Sequence, residues 1–465
     1  MRVAVVGGGI AGLAAAHRLR VLLGPGAGIT VVEATDRLGG KLRTTEVAGV
    51  PFDVGAEAYL NRRPEAAALI AELGLTDEVV HPTKARPTVR AGGAVRPLPG
   101  PTMLGLPADP AVVADVLSAD GLRRVAAERS LPPIRLDGDV SLGGLLRERY
   151  GDELTDRLVD PLLGGVYAGR VDGLGLRATM PPVASALDRG ATSLTEAAAS
   201  VVGAPSSEPV FGALRSGFDV LVRRLAQDVD VRLGVPVRRL ERTPGGWRLE
   251  LGAAAPGHGP VNPVLDVDAV VLAVPAPSAR RLLAEVVPAA SEAYGRVEVA
   301  SMAVVALALP PGTALPSASG LLIGATERRP DGAAYTAKAF TFSAVKWGHL
   351  DAVLVRGSVG RHGEVGGLRA DDDELVRLVR SDLAELTGVD AHPVDTVVTR
   401  WGGGLPQYGV GHADLVATIE DAVAGQPGLA VAGATLRGVG VPACIATGDA
   451  AARRVAAHLG ATHRV

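Results

Sequence analysis

Three glycines, Gly7, Gly9 and Gly12, follow the apolar run Val3-Ala4-Val5-Val6, and a second apolar run, Ile29 to Val32, ends on Glu33. Residues of these types at this spacing bind a dinucleotide. Gly7 permits a tight turn off a strand, and Gly9 lets backbone N–H groups approach a pyrophosphate. Gly12 lets the helix entered through Ile10 and Ala11, predicted over Leu13 to Leu22, pack against that strand. The diphosphate would sit at the positive end of this helix. Glu33, beside Ala34 at the tip of the second strand, is placed to accept hydrogen bonds from a ribose diol, and its charge would repel a 2′-phosphate. FAD or NAD is therefore favoured over NADP.

Arg37-Leu38-Gly39-Gly40-Lys41 comes directly after that acid. A glycine pair flanked by cations gives a second close approach of backbone to phosphate. The arrangement resembles the doublet of the flavoprotein superfamily that holds amine oxidases, phytoene desaturases, protoporphyrinogen-type oxidases and the GDP-dissociation inhibitors. The resemblance points to FAD rather than NAD.

The rest of the chain sets bounds on this chemistry. At 465 residues it can fold as two or three domains, and a hydrophobic content of 47% fits an ordered protein. A net charge of −3 with no Lys/Arg tract leaves no footprint for nucleic acid. Cys444 is the only cysteine, which excludes an internal disulfide, and the nine histidines lack metal-ligand spacing, so no metal is expected. The first strand starts too early for a signal peptide to precede it, which places the chain in the cytoplasm. The longest apolar stretch, Val299 to Leu309, is shorter than the roughly 18 residues of a membrane span and reads as a buried strand. Only four of the 47 basic residues are lysines, Lys41, Lys84, Lys338 and Lys346, a bias that fits a coding sequence rich in G and C. No Ser/His/Asp or paired-carboxylate constellation calls for nucleophilic or acid–base catalysis.

These elements predict an α/β protein: a Rossmann-type FAD-binding domain with an inserted mixed-sheet substrate domain and a helical subdomain, like the amine and protoporphyrinogen oxidases. The FAD-binding domain would be assembled from residues 1–80, 209–275 and 396–465, the substrate domain from 81–108 and 276–395, and the helical subdomain from 109–208. The last is an Ala/Leu/Arg-rich block broken at Pro132-Pro133, Pro161 and Pro181-Pro182. Runs from Val231 to Leu240 and from Trp247 to Leu251 read as a hairpin, Asp268 to Val274 as a buried strand, and Leu429 to Gly460 as strand, glycine loop and helix. The Ala253 to Pro263 stretch reads as a loop.

Several stretches narrow the superfamily. Asp53-Val54-Gly55-Ala56-Glu57 through Arg62-Arg63-Pro64-Glu65, Asp160-Pro161 to Ala168-Gly169, Lys346-Trp347, Arg400-Trp401 with Leu405 to His412, and Gly433-Ala434 to Ile445 resemble the protoporphyrinogen/coproporphyrinogen oxidase family of haem biosynthesis. The soluble coproporphyrinogen III oxidases of Gram-positive bacteria are the nearest likeness. The resemblance implies non-covalent FAD, a porphyrinogen substrate and dioxygen, with hand-over of product to a ferrochelatase or another haem-pathway enzyme.

It also implies roles. Arg63 would meet a substrate propionate, and so would Arg86, with Arg90 and Arg96 as competitors. Tyr167 and Gly169 would line the substrate, and the backbone carbonyls of Ala168 and Gly169 would accept from pyrrole N–H groups. Gly55, Ala56, Glu57 and Trp401 would contact the flavin, and Val237 the adenine through its main chain. Gly433, Gly440, Val441 and Pro442 would approach the isoalloxazine, with a helix from Cys444 onward offering N–H groups to its O2/N1 edge. Cys444 itself reads as a packed, inert thiol.

In such an enzyme no side chain need be a strong base. Loss of hydride from a methylene bridge to flavin N5 leaves a cation spread over two pyrroles, a pyrrole proton departs, and dioxygen takes the electrons as hydrogen peroxide. Three rounds give the porphyrin. Protoporphyrinogen IX is an alternative substrate. An amine oxidase or desaturase is a second reading, but amine oxidases commonly carry a lysine on a strand like Val299 to Leu309, which has none. A flavin-free binding protein like the GDP-dissociation inhibitors is a third, and both flavin loops argue against it.

Overall fold

The first apolar run forms β1 (Arg2–Val6), and α1 (Ile10–Leu23) follows the glycine turn. The helix starts at Ile10 rather than Leu13 because Gly9 is extended and caps it, which puts Gly12 inside the first turn. Along the chain then come β2 (Gly28–Val32), β3 (Thr88–Ala91), β4 (Ala94–Pro97), α2 (Asp160–Tyr167), β5 (Asp230–Arg232) and β6 (Ala269–Leu272). After these lie β7 (Val299–Leu309), β8 (Gly320–Ile323), β9 (Ala337–Thr341), β10 (Val353–Val359), α3 (Asp372–Thr387), β11 (Asp395–Pro406), β12 (Leu429–Val431) and α4 (Val441–Thr462). This computed structural model describes residues 1–203, 208–253, 262–364 and 366–462, so most of the stretch read as a loop, 254–261, lies outside the described residues.

β5, β2, β1, β6 and β12 form one parallel sheet in that order, with Val3 to Val6 registered on both neighbours. The predicted hairpin begins later than its alternation suggests. Val231 pairs in parallel with Val31, so β5 belongs to this sheet, and the hairpin proper joins Val237–Thr243 to Gly246–Leu251. Pro236, which cannot donate to a ladder, separates the two.

The second sheet has seven strands in the order β11-β7-β10-β9-β8-β3-β4, antiparallel except where β8 meets β3. Its long strand β7 is buried on both faces. Ala303, Val305 and Leu307 pack with Leu375 and Val379 of α3, while Val304, Ala306 and Ala308 pack with Val47, Phe52 and Val54. That explains an apolar run, interrupted only by Ser301, without a membrane. Residues 109–202 are mainly helical around Leu142, Leu146, Tyr150, Leu158 and Leu163. In α2, Pro161 follows the π-helical turn Thr155–Val159 that runs directly into the helix, an irregularity that accommodates its missing N–H, and Ala168 ends the helix in the left-handed region at φ 51°.

Two glycines set how closely α1 is held. A Cβ on Gly12 would lie 2.0 Å from the Gly7 carbonyl oxygen, and one on Gly448 of α4 would lie 2.2 Å from that of Ala11. Backbone is the obstacle in both cases, so neither side can yield by changing rotamer. Gly448→Ala should therefore destabilise the protein by about 1–3 kcal/mol through forced separation of the helices. Urea unfolding of the two forms checks this, and equal midpoints would show that α4 can shift freely.

Candidate active site

Both glycine loops meet beyond the carboxyl ends of the parallel strands, where open α/β sheets bind ligands. Gly39 N–H donates to the Gly8 carbonyl at 2.8 Å, and a Cβ on Gly40 would lie 3.0 Å from the Cα of Gly9. Two side-chain-free backbones thus face one cleft. Glu33 stands half-buried at the tip of β2, with exposed Ala34 next to it. Its Oε2 accepts from Gly8 N–H at 2.7 Å and its Oε1 from Thr35 N–H at 2.8 Å. Oε1 also accepts from the Thr35 hydroxyl at 2.9 Å, so Oε2 keeps the further lone pair for a ribose hydroxyl. The Gly234 and Val235 N–H groups bond the Thr35 and Glu33 carbonyls, so this segment lies directly against the tip. Val237, two residues on, is buried and its carbonyl accepts from Arg281 at 3.4 Å.

The two cations of the second motif differ. Arg37 donates to the carbonyls of Leu38, Gly40 and Leu42 and lies 5.6 Å over the Trp401 ring, so it knits its own loop together. Lys41 is half-buried with no carboxylate partner among the described residues, and burial lowers its pKa. Cys444 is the thiol beside it, pushed up to about 11 by burial and therefore inert as a nucleophile at neutral pH. An ammonium without a counter-ion, in a cleft lined by glycine backbone, fits an anionic ligand such as a dinucleotide.

The segment Val54 to Glu57 is fastened from both sheets. Val54 N–H donates to the Arg43 carbonyl and Ala56 N–H to that of Lys41, each at 2.9 Å, and a Cβ on Gly55 would lie 2.0 Å from the Lys41 oxygen. From the seven-stranded sheet, Trp401 Nε1 donates to the Val54 carbonyl at 3.0 Å, and Arg356 donates to the carbonyls of Asp53 and Gly55. Lys346 and Arg356 both pair with the Glu57 carboxylate. Burial alone would push that carboxyl up, but the two cations outweigh it and hold it below the usual range.

The C-terminal loop approaches the same cleft. Gly433, at φ +119°, donates to Thr447 Oγ1 at 3.0 Å. Tyr408 hydroxyl accepts from Gly438 N–H at 2.8 Å and donates to the Ala434 carbonyl at 2.6 Å. α4 begins at Val441 rather than Cys444, whose N–H is already bonded to the Gly440 carbonyl at 3.0 Å. With Pro442 lacking a donor, Val441 and Ala443 carry the free N–H groups of the first turn, next to exposed Gly440.

On the substrate side the predicted residues differ in their surroundings. Tyr167 is buried with its ring 5.3 Å from Tyr408, and a Cβ on Gly169 would lie 2.1 Å from Gln407 Oε1. The Ala168 carbonyl already accepts from His362 N–H at 2.6 Å. Gly165 and Val166 are the exposed residues of this turn, and the periodicity of the helix could have found them, because they lie opposite buried Leu163 and Gly164. Arg63 is held by Glu65, Nη2 to Oε1 at 2.6 Å. Arg62 is exposed and has no carboxylate partner among the described residues. Arg86 is exposed, with only the Leu98 carbonyl at 3.4 Å, whereas Arg90 is buried between Glu327 and Glu385, and Arg96 is exposed on β4. Among the described residues no helix is long and apolar enough to cross a membrane, and no cluster of His, Cys, Asp and Glu could hold a metal.

Comparison with known proteins agrees with this geometry. The family model described as flavin containing amine oxidoreductase matches residues 10–456. A coproporphyrinogen III oxidase of Mycobacterium tuberculosis is 44% identical over 95% of this chain and 94% of its own length. One from Bacillus subtilis is 30% identical over 97% of this chain and 96% of its own. A solved structure from Exiguobacterium sp. 255-15, assigned as a protoporphyrinogen oxidase, superposes with a TM-score of 0.84 at 29% identity, covering 98% of both chains.

The Glu57 cluster gives a pH-dependent test. A carboxyl held below its ordinary value of about 4.5 contributes stability that is complete above that pH and is lost as pH falls through the lower, folded value. Lys346→Met should cost about 1–3 kcal/mol at neutral pH, and the deficit should shrink in acid as Glu57 protonates. Urea unfolding at a series of pH values reads this directly. A deficit that stays constant into strong acid would place the lysine's contribution elsewhere.

Proposed function

Because this chain belongs to the flavin-containing amine oxidoreductase family, we propose that it oxidises coproporphyrinogen III to coproporphyrin III, using non-covalent FAD and dioxygen and releasing hydrogen peroxide. The observation that carries this reading is likeness at 44% identity along 95% of the chain to an oxidase of that name. It is supported by two glycine loops that meet beyond the carboxyl ends of the parallel strands, with Arg37 lying 5.6 Å over Trp401 of the seven-stranded sheet. The chain is an oxidoreductase, and the reaction belongs to haem biosynthesis. Likeness to the soluble Gram-positive enzymes supports a cytoplasmic setting, with product passed to a ferrochelatase. The only cysteine is buried and its thiol raised to about 11, which supports a flavin held without a covalent tether.

When bound, the flavin supplies the hydride acceptor and the centre that passes electrons to dioxygen. The protein's own work is binding and orientation. Gly7, Gly9, Gly12, Gly39 and Gly40 admit the diphosphate, Glu33 takes the ribose, and Lys41 offers the charge. Val54 to Glu57, Trp401 and the Gly438-to-Val441 loop frame the ring. Gly165 and Val166 offer carbonyls that no donor among the described residues meets, next to apolar Leu322, and these suit pyrrole N–H groups of a flat macrocycle. Arg62 and Arg86, exposed and with no carboxylate partner among the described residues, suit propionates.

Two measurements test the reading. Glu33→Ala should weaken flavin retention by ~1.5–3 kcal/mol, since a charged acceptor is removed, and dialysis followed by absorbance would show it. Undiminished flavin content would move the ribose contact to another residue. In an aerobic fluorescence assay the protein should turn over coproporphyrinogen III faster than protoporphyrinogen IX, form peroxide as oxygen is used, and need no nicotinamide. Arg62→Ala should then raise KM by roughly tenfold, and by more than Arg63→Ala, whose guanidinium is already committed to Glu65. Equal turnover of both porphyrinogens, with neither arginine mattering, would favour the protoporphyrinogen alternative.

A further inference from the structure

Three strands of the seven-stranded sheet, or the turns that follow them, each send one donor to the C-terminal turn of α2. Lys338 Nζ, from β9, donates to the Gly164 carbonyl at 3.3 Å. His362 N–H, just after β10, donates to that of Ala168 at 2.6 Å, and Gln407 Nε2, just after β11, to that of Tyr167 at 2.8 Å. These carbonyls belong to a helix end whose Gly165 and Val166 are the exposed positions.

Lys338 differs from the other two tethers. It is 3% exposed and has no carboxylate partner among the described residues. The charged groups facing it from β10 and the following turn are Arg356, committed to Glu57, and Arg361, which donates to the Ile323 carbonyl and sits 3.9 Å from Glu364. On α2, Asp160 is paired with Arg170. A register shift between Ala337 and Ala339 makes Lys338 the extra residue of a bulge, a device that re-aims a side chain. A buried cation among cations costs stability. Packing alone would be better served by an apolar side chain.

We propose that Lys338 is a positioning residue for the reaction: its ammonium holds the Gly164 carbonyl and so fixes the Gly165–Val166 edge of α2 against which the porphyrinogen lies. This rests on the porphyrinogen reading above. Burial first, then Arg361 and Arg356, pull its pKa down to about 7, so the tether carries its full charge only below that pH.

The test uses the flavin-loaded enzyme as wild type, Lys338→Met and Lys338→Arg, assayed with coproporphyrinogen III and melted across a pH series. The Met variant should keep its flavin and melt higher than wild type. The gain should be largest below about pH 7 and fade towards the amine's ordinary value of about 10.5, because the wild-type penalty is complete below the folded pKa and declines above it. Its kcat/KM should fall roughly tenfold, mainly through KM, and lose the decline that wild type shows as pH rises through about 7. Lys338→Arg, which stays charged, should hold its activity to higher pH. Two results would overturn the proposal: a Met variant with wild-type kcat/KM and pH profile, or one that melts lower and loses flavin. A wild type that oxidises neither porphyrinogen would instead remove the functional reading, and this role of Lys338 with it.

Discussion

Contact of bare backbone with bare backbone is the constraint on which this molecule depends. Gly12 lies against the Gly7 carbonyl, Gly448 against that of Ala11, Gly40 against Gly9 and Gly55 against that of Lys41. The three contacts with carbonyl oxygens, at 2.0–2.2 Å, exclude even a methyl group, and that of Gly40 with Gly9, at 3.0 Å, leaves it little room. Together they draw α1 between the parallel sheet and α4, and lay the Val54-to-Glu57 segment over the glycine pair. Since β1 and β12 run parallel and each leads into its helix, both helix N-termini open at the same edge of the sheet. That shared edge presents the backbone N–H donors of two helices on one side of the sheet.

Cations then bind this framework to the seven-stranded sheet. Arg356 reaches from β10 to the carbonyls of Asp53 and Gly55 and to Glu57, while Lys346 closes the same carboxylate. Tyr408 and Gln407, adjacent in sequence, divide the work differently. The tyrosine bonds the C-terminal loop, and the glutamine bonds the end of α2. One dipeptide therefore relates the position of the C-terminal loop to that of the end of α2, and the geometry between them is set by covalent neighbours.

Much of this was legible in the chain, because glycine and an acid at fixed spacing leave few interpretations. The turn at Gly7, the acid at Glu33, the doublet at Gly39-Gly40 and the strand Val299 to Leu309 are local patterns, and each lies where its pattern requires. What escaped depends on contacts that residue type and periodicity do not specify. Arg63 looked free until Glu65 was seen to hold it, although a pair two residues apart could have been suspected. Ala168 looked like a free acceptor, but a residue almost two hundred positions away occupies it. The hairpin boundary slipped because Val231 and Val237 share an alternation, and only Pro236 marks the break. Lys338 carried no signal beyond being one of four lysines, since its burial arises from a bulge that the sequence does not announce.

The order in which the nucleotide sheet is completed has a consequence for synthesis. Its central strand, β1, pairs with β6, so Val3 must wait for Ala269, and the outer strand β12 starts only at Leu429. Such sequence-distant pairings are slow to form because loop closure must precede any gain from them. The second wall of the cofactor cleft, α4, starts at Val441. A nascent chain on the ribosome thus exposes half a cleft for most of its translation, with the apolar faces of β1 and α1 waiting for partners. Cofactor capture belongs to the last stage of maturation, and flavin supply would act on the yield of folded enzyme by trapping the closed sheet after it forms.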